Sequence, residues 1–305
     1  MTSSIEAAAA RLKPVRRVTA LGDSLSDSGT FKAITATGRF TTPGGSMWVE
    51  HIAAALGHTL APEHICDGKA FTRAGGSNYA QSGAMTQAEP GLHDGLSWSL
   101  AHQIDVHLAA GGPHADDLLL VSIGGPDVLA ALLEVQQGAL TPEAAMRSCD
   151  VAVAACATQL ERLLAAGAKR VAIANVADFG RTPAFASLPP AAGLATALAQ
   201  QWNRLLAEQA PLRDARATLV DAFAAFGDML DHPAAYGFTN VRDQAFDPQR
   251  TPPSATGTSP NGLPEHLVAA DAGSTYLFAD FVHPTGNGHR HLAARALDAM
   301  AKRWG

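Results

Sequence analysis

The sequence is poor in cysteine and charge and lacks long apolar runs, and each shortage excludes a class of protein. Three cysteines in 305 residues rule out a disulfide-dense scaffold, although they allow a single bridge. Charged residues make up only 16%, and 22 Lys and Arg stand against 28 Asp and Glu, so no basic footprint for nucleic acid exists. No apolar run approaches the ~18–20 residues that a membrane helix needs. Hydrophobic residues are plentiful at 47%, so we expect a sizeable core. From the charge balance and the missing apolar run, we expect no nucleic-acid partner and no transmembrane segment.

Common cofactor and metal motifs are missing as well. The chain has no G-x-G-x-x-G, Walker loop, H-E-x-x-H or paired C-x-x-C, and no G-x-S-x-G elbow of an ordinary α/β-hydrolase. Six of its twelve histidines form two local groups, at 51–64 and 283–291, without paired ligand spacing backed by nearby acids. We therefore predict exposed or structural histidines and no metal site.

The N-terminal segment 1–14 is predicted to be a flexible tail. It contains a short alanine run but no apolar stretch of the length usual in a secretory signal. A signal that had been removed and replaced by a new start would look the same. The compartment therefore stays open, a secreted or periplasmic origin included, and the oligomeric state is not readable.

Strands and helices alternate along the rest of the chain. Apolar strands are predicted at 17–24, 117–125, 169–176 and 217–223, with a shorter one at 77–85, and helices at 46–57, 97–111, 126–136, 142–167, 192–209 and 286–303. Strands that are apolar throughout indicate a parallel sheet covered by helices on both faces, in a single domain over 15–305. Ligands bind such sheets at the carboxyl ends of the strands, where the loops 30–45, 85–97 and 239–274 are expected to shape a pocket entrance.

Two short motifs carry candidate chemistry. Ser24 follows the first strand in GDSLSD (22–27), where its own N–H can point at an oxyanion. Asp280 and His283 lie three residues apart in DFVHP (280–284). This spacing lets a carboxylate orient an imidazole that serves as base toward a serine hydroxyl. Taken alone, each motif is equally well explained by a turn, a helix cap or a surface histidine.

Together with NYAQSG (78–83), these motifs resemble in order and spacing the GDSL (SGNH-hydrolase) family of esterases and lipases. GRFT (38–41) and HPT (283–285) are similar to the bacterial members related to the plant GDSL lipases. The resemblance spans residues 17 to about 300. It implies a flavodoxin-like three-layer α/β/α sandwich with a five-stranded parallel sheet, long loops at the strand carboxyl ends, and no metal or organic cofactor.

The resemblance also implies a role for individual residues. Ser24 corresponds to the nucleophile, His283 to the base and Asp280 to the residue that orients His283. The backbone N–H groups of Ser24 and Gly83 correspond to two oxyanion donors. The implied function is that of a serine carboxylic-ester hydrolase acting through an acyl-Ser24 intermediate on a small or lipid-like ester.

One motif departs from the family pattern. Where the family expects G-x-N-D, this chain reads GGPD (124–127), so Pro126 stands at the position of the asparagine that supplies the third oxyanion donor. Proline has no side-chain donor and no N–H. Losing one such donor typically lowers turnover by ~10²–10³-fold, so we expect a weakened oxyanion hole. Asp127, which matches the motif, is predicted to be a structural hydrogen-bonding residue.

Two alternatives stay open at this point. The same acyl-enzyme can pass its acyl group to an alcohol, which makes an acyltransferase, or the chain can be a catalytically weakened binding module on this fold. The aromatic residues near the predicted loops are candidate pocket residues and equally candidate core residues: Trp48, Phe179 and Phe281, with Trp98 and Phe246.

Overall fold

Helices and strands alternate along the chain much as the apolar pattern predicts. The computed structural model describes residues 2–12, 14–87, 96–253 and 258–305. The helices are α1 (Thr2–Leu12), α2 (Trp48–Ala55), α3 (Leu100–Ala109), α4 (Gly125–Gln136), α5 (Pro142–Ala165), α6 (Pro189–Glu208), α7 (Ala222–Asp231), α8 (Ala272–Thr275) and α9 (Gly286–Trp304). The strands are β1 (Val18–Gly22), β2 (His64–Cys66), β3 (Phe71–Arg73), β4 (Leu118–Ser122), β5 (Val171–Ala174), β6 (Ala217–Val220), β7 (Asn240–Gln244) and β8 (Tyr276–Phe278).

Four parallel strands form the central sheet, in the order β1-β4-β5-β6. The predicted fifth strand at 77–85 is only partly formed: backbone hydrogen bonds join Ser77, Tyr79 and Gln81 to Ala20 and Gly22 of β1, but Asn78 makes an isolated parallel bridge to Ala20 rather than a continuous strand. The Asn78 side chain makes local bonds: its amide donates to Ser26 O (2.6 Å) and its carbonyl accepts from Ala80 N (3.0 Å). These bonds tie the segment to the loop that follows β1, at the edge of the sheet.

The sheet is covered by helices on both faces, which confirms the three-layer α/β/α arrangement. Successive residues of a strand point to opposite faces. Accordingly, Leu118 and Leu120 of β4 pack in one core with α1, α2, α7 and α9, whereas Leu119 and Val121 pack in the other with α3 to α6. Within the described residues, no helix is long and apolar enough to cross a bilayer.

The N-terminal segment is not the flexible tail that the sequence suggests. Helix α1 occupies most of it and packs its buried Ala8, Ala9 and Leu12 into the core shared with α9. Alanine has the highest helix propensity and lets two helices approach closely, so the alanine run forms a packing face. Arg170 holds the end of this helix by donating to Leu12 O (2.8 Å).

The long segment 239–274 holds more structure than its composition predicts. It begins with β7, which pairs in parallel with β8, with Asn240 opposite Tyr276 and Gln244 opposite Phe278. This pair leads the chain from β8 directly into residues 280–283. Residues 254–257 of this segment, and 88–95 of the predicted loop 85–97, lie outside the described residues.

Candidate active site

Ser24 lies just after the carboxyl end of β1, and the backbone geometry two residues before it, at Gly22, admits only glycine. Gly22 has φ +123°, and a Cβ on it would lie 1.8 Å from Ser122 O of the neighbouring strand. An L-residue with a side chain would therefore both strain the backbone and clash. Asp23 N donates to the same Ser122 O (2.8 Å), which fixes the start of the loop that presents Ser24.

The three residues singled out by the motifs form one chain of hydrogen bonds. His283 Nε2 lies 2.9 Å from Ser24 Oγ, and His283 Nδ1 lies 2.9 and 3.0 Å from the two oxygens of Asp280. All three side chains are buried. The turn is tightened by His283 N, which donates to Asp280 Oδ1 (2.8 Å). The structure therefore brings together residues that are 259 positions apart in the sequence.

Asp280 is further held by Ser259, a residue that the sequence motifs miss. Ser259 Oγ and N donate to Asp280 Oδ2 at 2.5 and 3.2 Å. Burial raises the pKa of the Asp280 carboxyl, but the charge of His283 and the bonds from His283 and Ser259 outweigh it, so the pKa lies below its ordinary value. Ser259 comes from the irregular segment 239–274, where no pattern in the sequence distinguishes it.

A second loop, NYAQSG (78–83), is attached to the Ser24 loop by buried side chains. Asp27 accepts from Ser82 N through Oδ2 (2.9 Å) and from Gly29 N and Thr30 N through Oδ1 (2.9 and 2.7 Å). Burial raises the pKa of Asp27 to about 6, against the opposing effect of these bonds, so it is a carboxylate at neutral pH. The loop places Gly83, with φ +76°, on the same cavity as Ser24.

The cavity beside Ser24 and His283 is mainly apolar. Its lining comes from the strand ends, α4, α7 and the turn after β5: Leu25, Ile123, Pro126, Leu129, Val176, Ala177, Phe179, Phe226, Leu230, Phe278 and Val282. Asp23, Asp178, Ser122, Asn175 and Thr182 add polar groups. Such a lining, with a few polar groups around a nucleophile, suits an organic substrate with an apolar part.

Phe179 is the one candidate of the aromatic set that lines this cavity. Trp48 is wrong as a pocket residue: it is fully buried in the core with α9, and its indole N–H donates to Ser26 Oγ (3.1 Å). The prediction of Phe281 as a pocket residue is also wrong, since Phe281 does not line the cavity. Its backbone carbonyl accepts from Ala184 N (2.9 Å).

The other two aromatic candidates lie elsewhere. Trp98 stacks on His102 with ring centroids 4.6 Å apart and contacts Phe71. Phe246 is buried beneath Gly262 and lines a separate cleft that meets the first cavity at Leu230. Trp98 and Phe246 therefore both lie outside the immediate surroundings of Ser24.

A family model for GDSL-like lipase/acylhydrolase matches residues 18–296. The chain belongs to this family. Thermolabile hemolysin of Vibrio parahaemolyticus is 28% identical over 307 aligned positions, which cover 93% of this chain and 64% of that protein. The chain thus spans less than two thirds of the length of this curated relative.

Two solved structures resemble the fold. A catalytic mutant of an acetylxylan esterase from Geobacillus stearothermophilus has a TM-score of 0.50 at 16% identity and covers 93% of each chain. Phospholipase A1 from Streptomyces albidoflavus has a TM-score of 0.50 at 15% identity, with 94% of this chain and 100% of that chain covered. At these identities the likeness concerns the fold.

The chain departs from the GDSL motif at position 126, where proline replaces the expected asparagine. Pro126 is buried in the first turn of α4 and lines the cavity. Proline suits the first turn of a helix, where its missing N–H breaks no helical bond. Asp127 accepts from Thr86 N (3.1 Å) and Thr86 Oγ1 (3.2 Å), in agreement with its predicted structural role.

The candidate site is built from serine, histidine and carboxylate groups. Among the described residues, no cluster of three or more His, Cys, Asp or Glu side chains is arranged to hold a metal ion. Cys66, Cys149 and Cys156 are free and buried, and burial raises the pKa of each thiol. They are therefore poor nucleophiles, because the thiolate is the reactive form.

Proposed function

We propose that this protein is a serine carboxylic-ester hydrolase that acts through an acyl-Ser24 intermediate. The observation that carries the proposal is the hydrogen-bond chain from Asp280 through His283 to Ser24 Oγ, which opens on an apolar cavity. A free serine hydroxyl is a weak nucleophile at neutral pH, and an imidazole at 2.9 Å is the base that activates it.

In the proposed reaction, Ser24 Oγ attacks the ester carbonyl carbon while His283 Nε2 takes the hydroxyl proton. Asp280 holds the imidazole tautomer and stabilises the imidazolium that forms. The N–H groups of Ser24 and Gly83 donate to the oxyanion. The imidazolium then protonates the leaving alcohol, and a water molecule deprotonated by His283 releases the acid and restores Ser24.

The cavity lining supports an uncharged acyl group as substrate. Among the described lining residues there is no lysine or arginine, whereas Asp23 and Asp178 are present. A negatively charged acyl chain would find no cation and two carboxyl groups. An aliphatic chain would instead contact side chains such as Leu129, Phe179 and Phe226.

The test is active-site labelling combined with one substitution. A fluorophosphonate should label Ser24, and Ser24→Ala should lower p-nitrophenyl butyrate turnover by at least ~10³-fold without changing the fold. Ser148→Ala is the matched control, since Ser148 Oγ donates to Ala145 O within α5, away from the cavity. Labelling of another residue, or full turnover by folded Ser24→Ala, would overturn the proposal.

A further inference from the structure

The proposed acyl-Ser24 mechanism, on which this inference rests, leaves the oxyanion one donor short at Pro126. Uncharged polar side chains on the cavity wall already take part in hydrogen bonds. Asn175 donates to Asp221 Oδ1 (2.9 Å), and Thr182 Oγ1 donates to Phe179 O (2.7 Å). None of these side chains directly adjoins Ser24 in the chain, whereas Asp23 does.

Asp23 is placed where such a donor is needed. It precedes Ser24 directly, is 2% exposed and lines the cavity together with Gly83, Gly125 and Pro126. Its Oδ1 accepts from Leu25 N (3.1 Å) and lies 3.4 Å from Ser122 Oγ. Within the described residues its Oδ2 takes part in no hydrogen bond.

The free oxygen of Asp23 faces the helix start that carries the departure. A Cβ built on Gly125 would lie 3.4 Å from Asp23 Oδ2. The oxygen therefore points at the beginning of α4, next to the position where the family's asparagine stands. Since it lies on the cavity wall and has no partner, it is available to a bound molecule.

The surroundings of Asp23 favour its neutral form. Its pKa is raised to about 7: burial is the main cause and the charge of Asp127 of α4 adds to it, while the Leu25 N–H, His283 and Ser122 act in the opposite direction. Asp178, at the end of β5, lines the same cavity. A carboxylic acid kept neutral by an apolar site is able to donate a hydrogen bond to an oxyanion.

We propose that the protonated carboxyl of Asp23 donates the third hydrogen bond to the oxyanion, in place of the asparagine amide that Pro126 removes. The O–H on Oδ2 donates and keeps its proton throughout. The proton that moves is that of Ser24, which passes to His283 and then to the leaving alcohol. Asp23 thus adds a donor without changing the proton balance of the reaction.

The proposal fixes the sign of a pH dependence. The active form has Asp23 protonated, so kcat/KM falls as the pH rises above about 7. Above that pH the donor is lost and a carboxylate repels the oxyanion. One donor is typically worth ~10²–10³-fold, so a loss of up to ~10²-fold is expected by pH 9.

The first test compares pH profiles of kcat/KM for p-nitrophenyl butyrate between pH 5 and pH 9. Asp23→Asn places a neutral amide in the same shape and cannot titrate, so its alkaline decline should disappear and its kcat/KM at pH 9 should exceed that of the wild type ~10–100-fold. Asp127→Asn is the control: it removes a charge that raises the pKa of Asp23, so the decline should persist and move to lower pH. A decline that persists in Asp23→Asn, or vanishes in Asp127→Asn, overturns the proposal.

The second test leaves Asp23 in place and is decisive even if Asp23→Asn fails to fold. Pro126→Asn restores the family's amide. Its gain in kcat/KM should be small at pH 6, where Asp23 already donates, and up to ~10²-fold at pH 9, where Asp23 is ionised. An equal gain at both pH values would show that the two groups act independently, and would overturn the proposal.

Failure of this inference is distinguishable from failure of the proposed function. Fluorophosphonate labelling of Ser24 reports on the nucleophile alone. If Ser24 is labelled but the wild type shows no alkaline decline, only the role of Asp23 is refuted. If Ser24 is not labelled in folded protein, the acyl-enzyme mechanism fails and the Asp23 proposal fails with it.

Discussion

At the scale of single residues, Ser259 shows how a group outside the motifs supports the candidate triad. Its hydroxyl donates to Asp280 Oδ2 at 2.5 Å in a fully buried setting. Asp280 must stay ionised to hold the His283 tautomer, and a buried carboxylate is stable only when its oxygens are satisfied. Ser259 therefore helps Asp280 to hold His283, although Ser259 does not line the cavity.

Replacing this hydroxyl should affect both stability and turnover. Ser259→Ala is expected to cost about 1–3 kcal/mol in free energy of unfolding at pH 7, because a buried charge loses a hydrogen bond. The bond from Ser259 lowers the pKa of Asp280, so its stabilisation is present above the ordinary aspartate range and fades as the pH falls. The cost should therefore shrink on acidification. We expect kcat to fall about tenfold at pH 7, which is only a part of the ~10²–10⁴-fold that a positioned base contributes.

Urea unfolding at pH 7 and pH 4, with steady-state kinetics at pH 7, measures these effects. Thr258→Ala is the matched control, since the buried Thr258 hydroxyl has no hydrogen-bond partner among the described residues. Equal losses in the two variants would show that the Ser259 hydroxyl has no specific effect on Asp280.

At the scale of elements, the parallel strands explain why the sequence was informative about the site. β1 and β4 are apolar runs ending in glycine- and serine-rich turns, and their carboxyl ends meet at one sheet edge. Ser24 and Pro126 could therefore be placed on one cavity from the sequence. The Asp280–His283 turn was readable for a different reason, because three residues of separation suffice to close its contact.

Elements whose structure depends on distant contacts were less predictable. The segment 77–85 has the composition of a strand, but it pairs with β1 only from Ser77 to Gln81, and the Asn78 side chain bonds Ser26 O and Ser28 Oγ in the loop after β1. Helix α1 is stable because α9 covers it, which no local pattern in residues 1–14 reveals. Trp48 and Phe281 could not be told from pocket residues, since aromatic side chains suit a core and a pocket equally.

The elements around the cavity also predict selectivity for the acyl chain. Helices α4 and α7 contribute Leu129, Phe226 and Leu230 to the wall, and no described lining residue is cationic. Each buried CH₂ is worth about 0.8 kcal/mol, or roughly a fourfold change per group. The butyrate has two more CH₂ groups than the acetate, so we expect kcat/KM to rise roughly 15-fold from p-nitrophenyl acetate to the butyrate.

A matched pair of esters separates the effect of charge from that of length. The p-nitrophenyl half-ester of succinic acid has the same number of acyl carbons as the butyrate but ends in a carboxylate. It should react at least ~10-fold more slowly, since burying an unpaired charge is costly. A succinate half-ester that reacts as fast as the butyrate would contradict the cavity assignment.

At the scale of the whole molecule, the two cores enclose several titratable groups besides the triad. His289 of α9 is fully buried, and its Nδ1 accepts from Trp48 N (3.3 Å). Burial, together with the charges of His51 and His283, lowers its pKa to about 3. The neutral imidazole is therefore part of the folded state, and protonating it opposes folding.

The sign of the resulting pH dependence follows from the two protonation states. Because the pKa of His289 is lower in the folded protein than the ordinary 6.5, its stabilisation is complete above pH 6.5 and is lost as the pH falls toward 3. Asp23 and Asp127 act in the opposite direction, since burial raises the pKa of each, and their effects are shared by any two variants that keep them. The difference in free energy of unfolding between the wild type and a variant that lacks only His289 therefore reports on His289 alone.

His289→Asn keeps an acceptor near the Trp48 N–H and cannot titrate. The stability advantage of the wild type over this variant should therefore shrink by about 3 kcal/mol between pH 7 and pH 4.5, as two pH units of unequal protonation imply. Urea unfolding at both pH values measures the difference, and the exposed His114→Asn reports the effect of replacing a histidine as such. A stability advantage that is the same at both pH values would contradict the role of His289, because an imidazole held neutral by burial loses its stabilising effect as the pH falls.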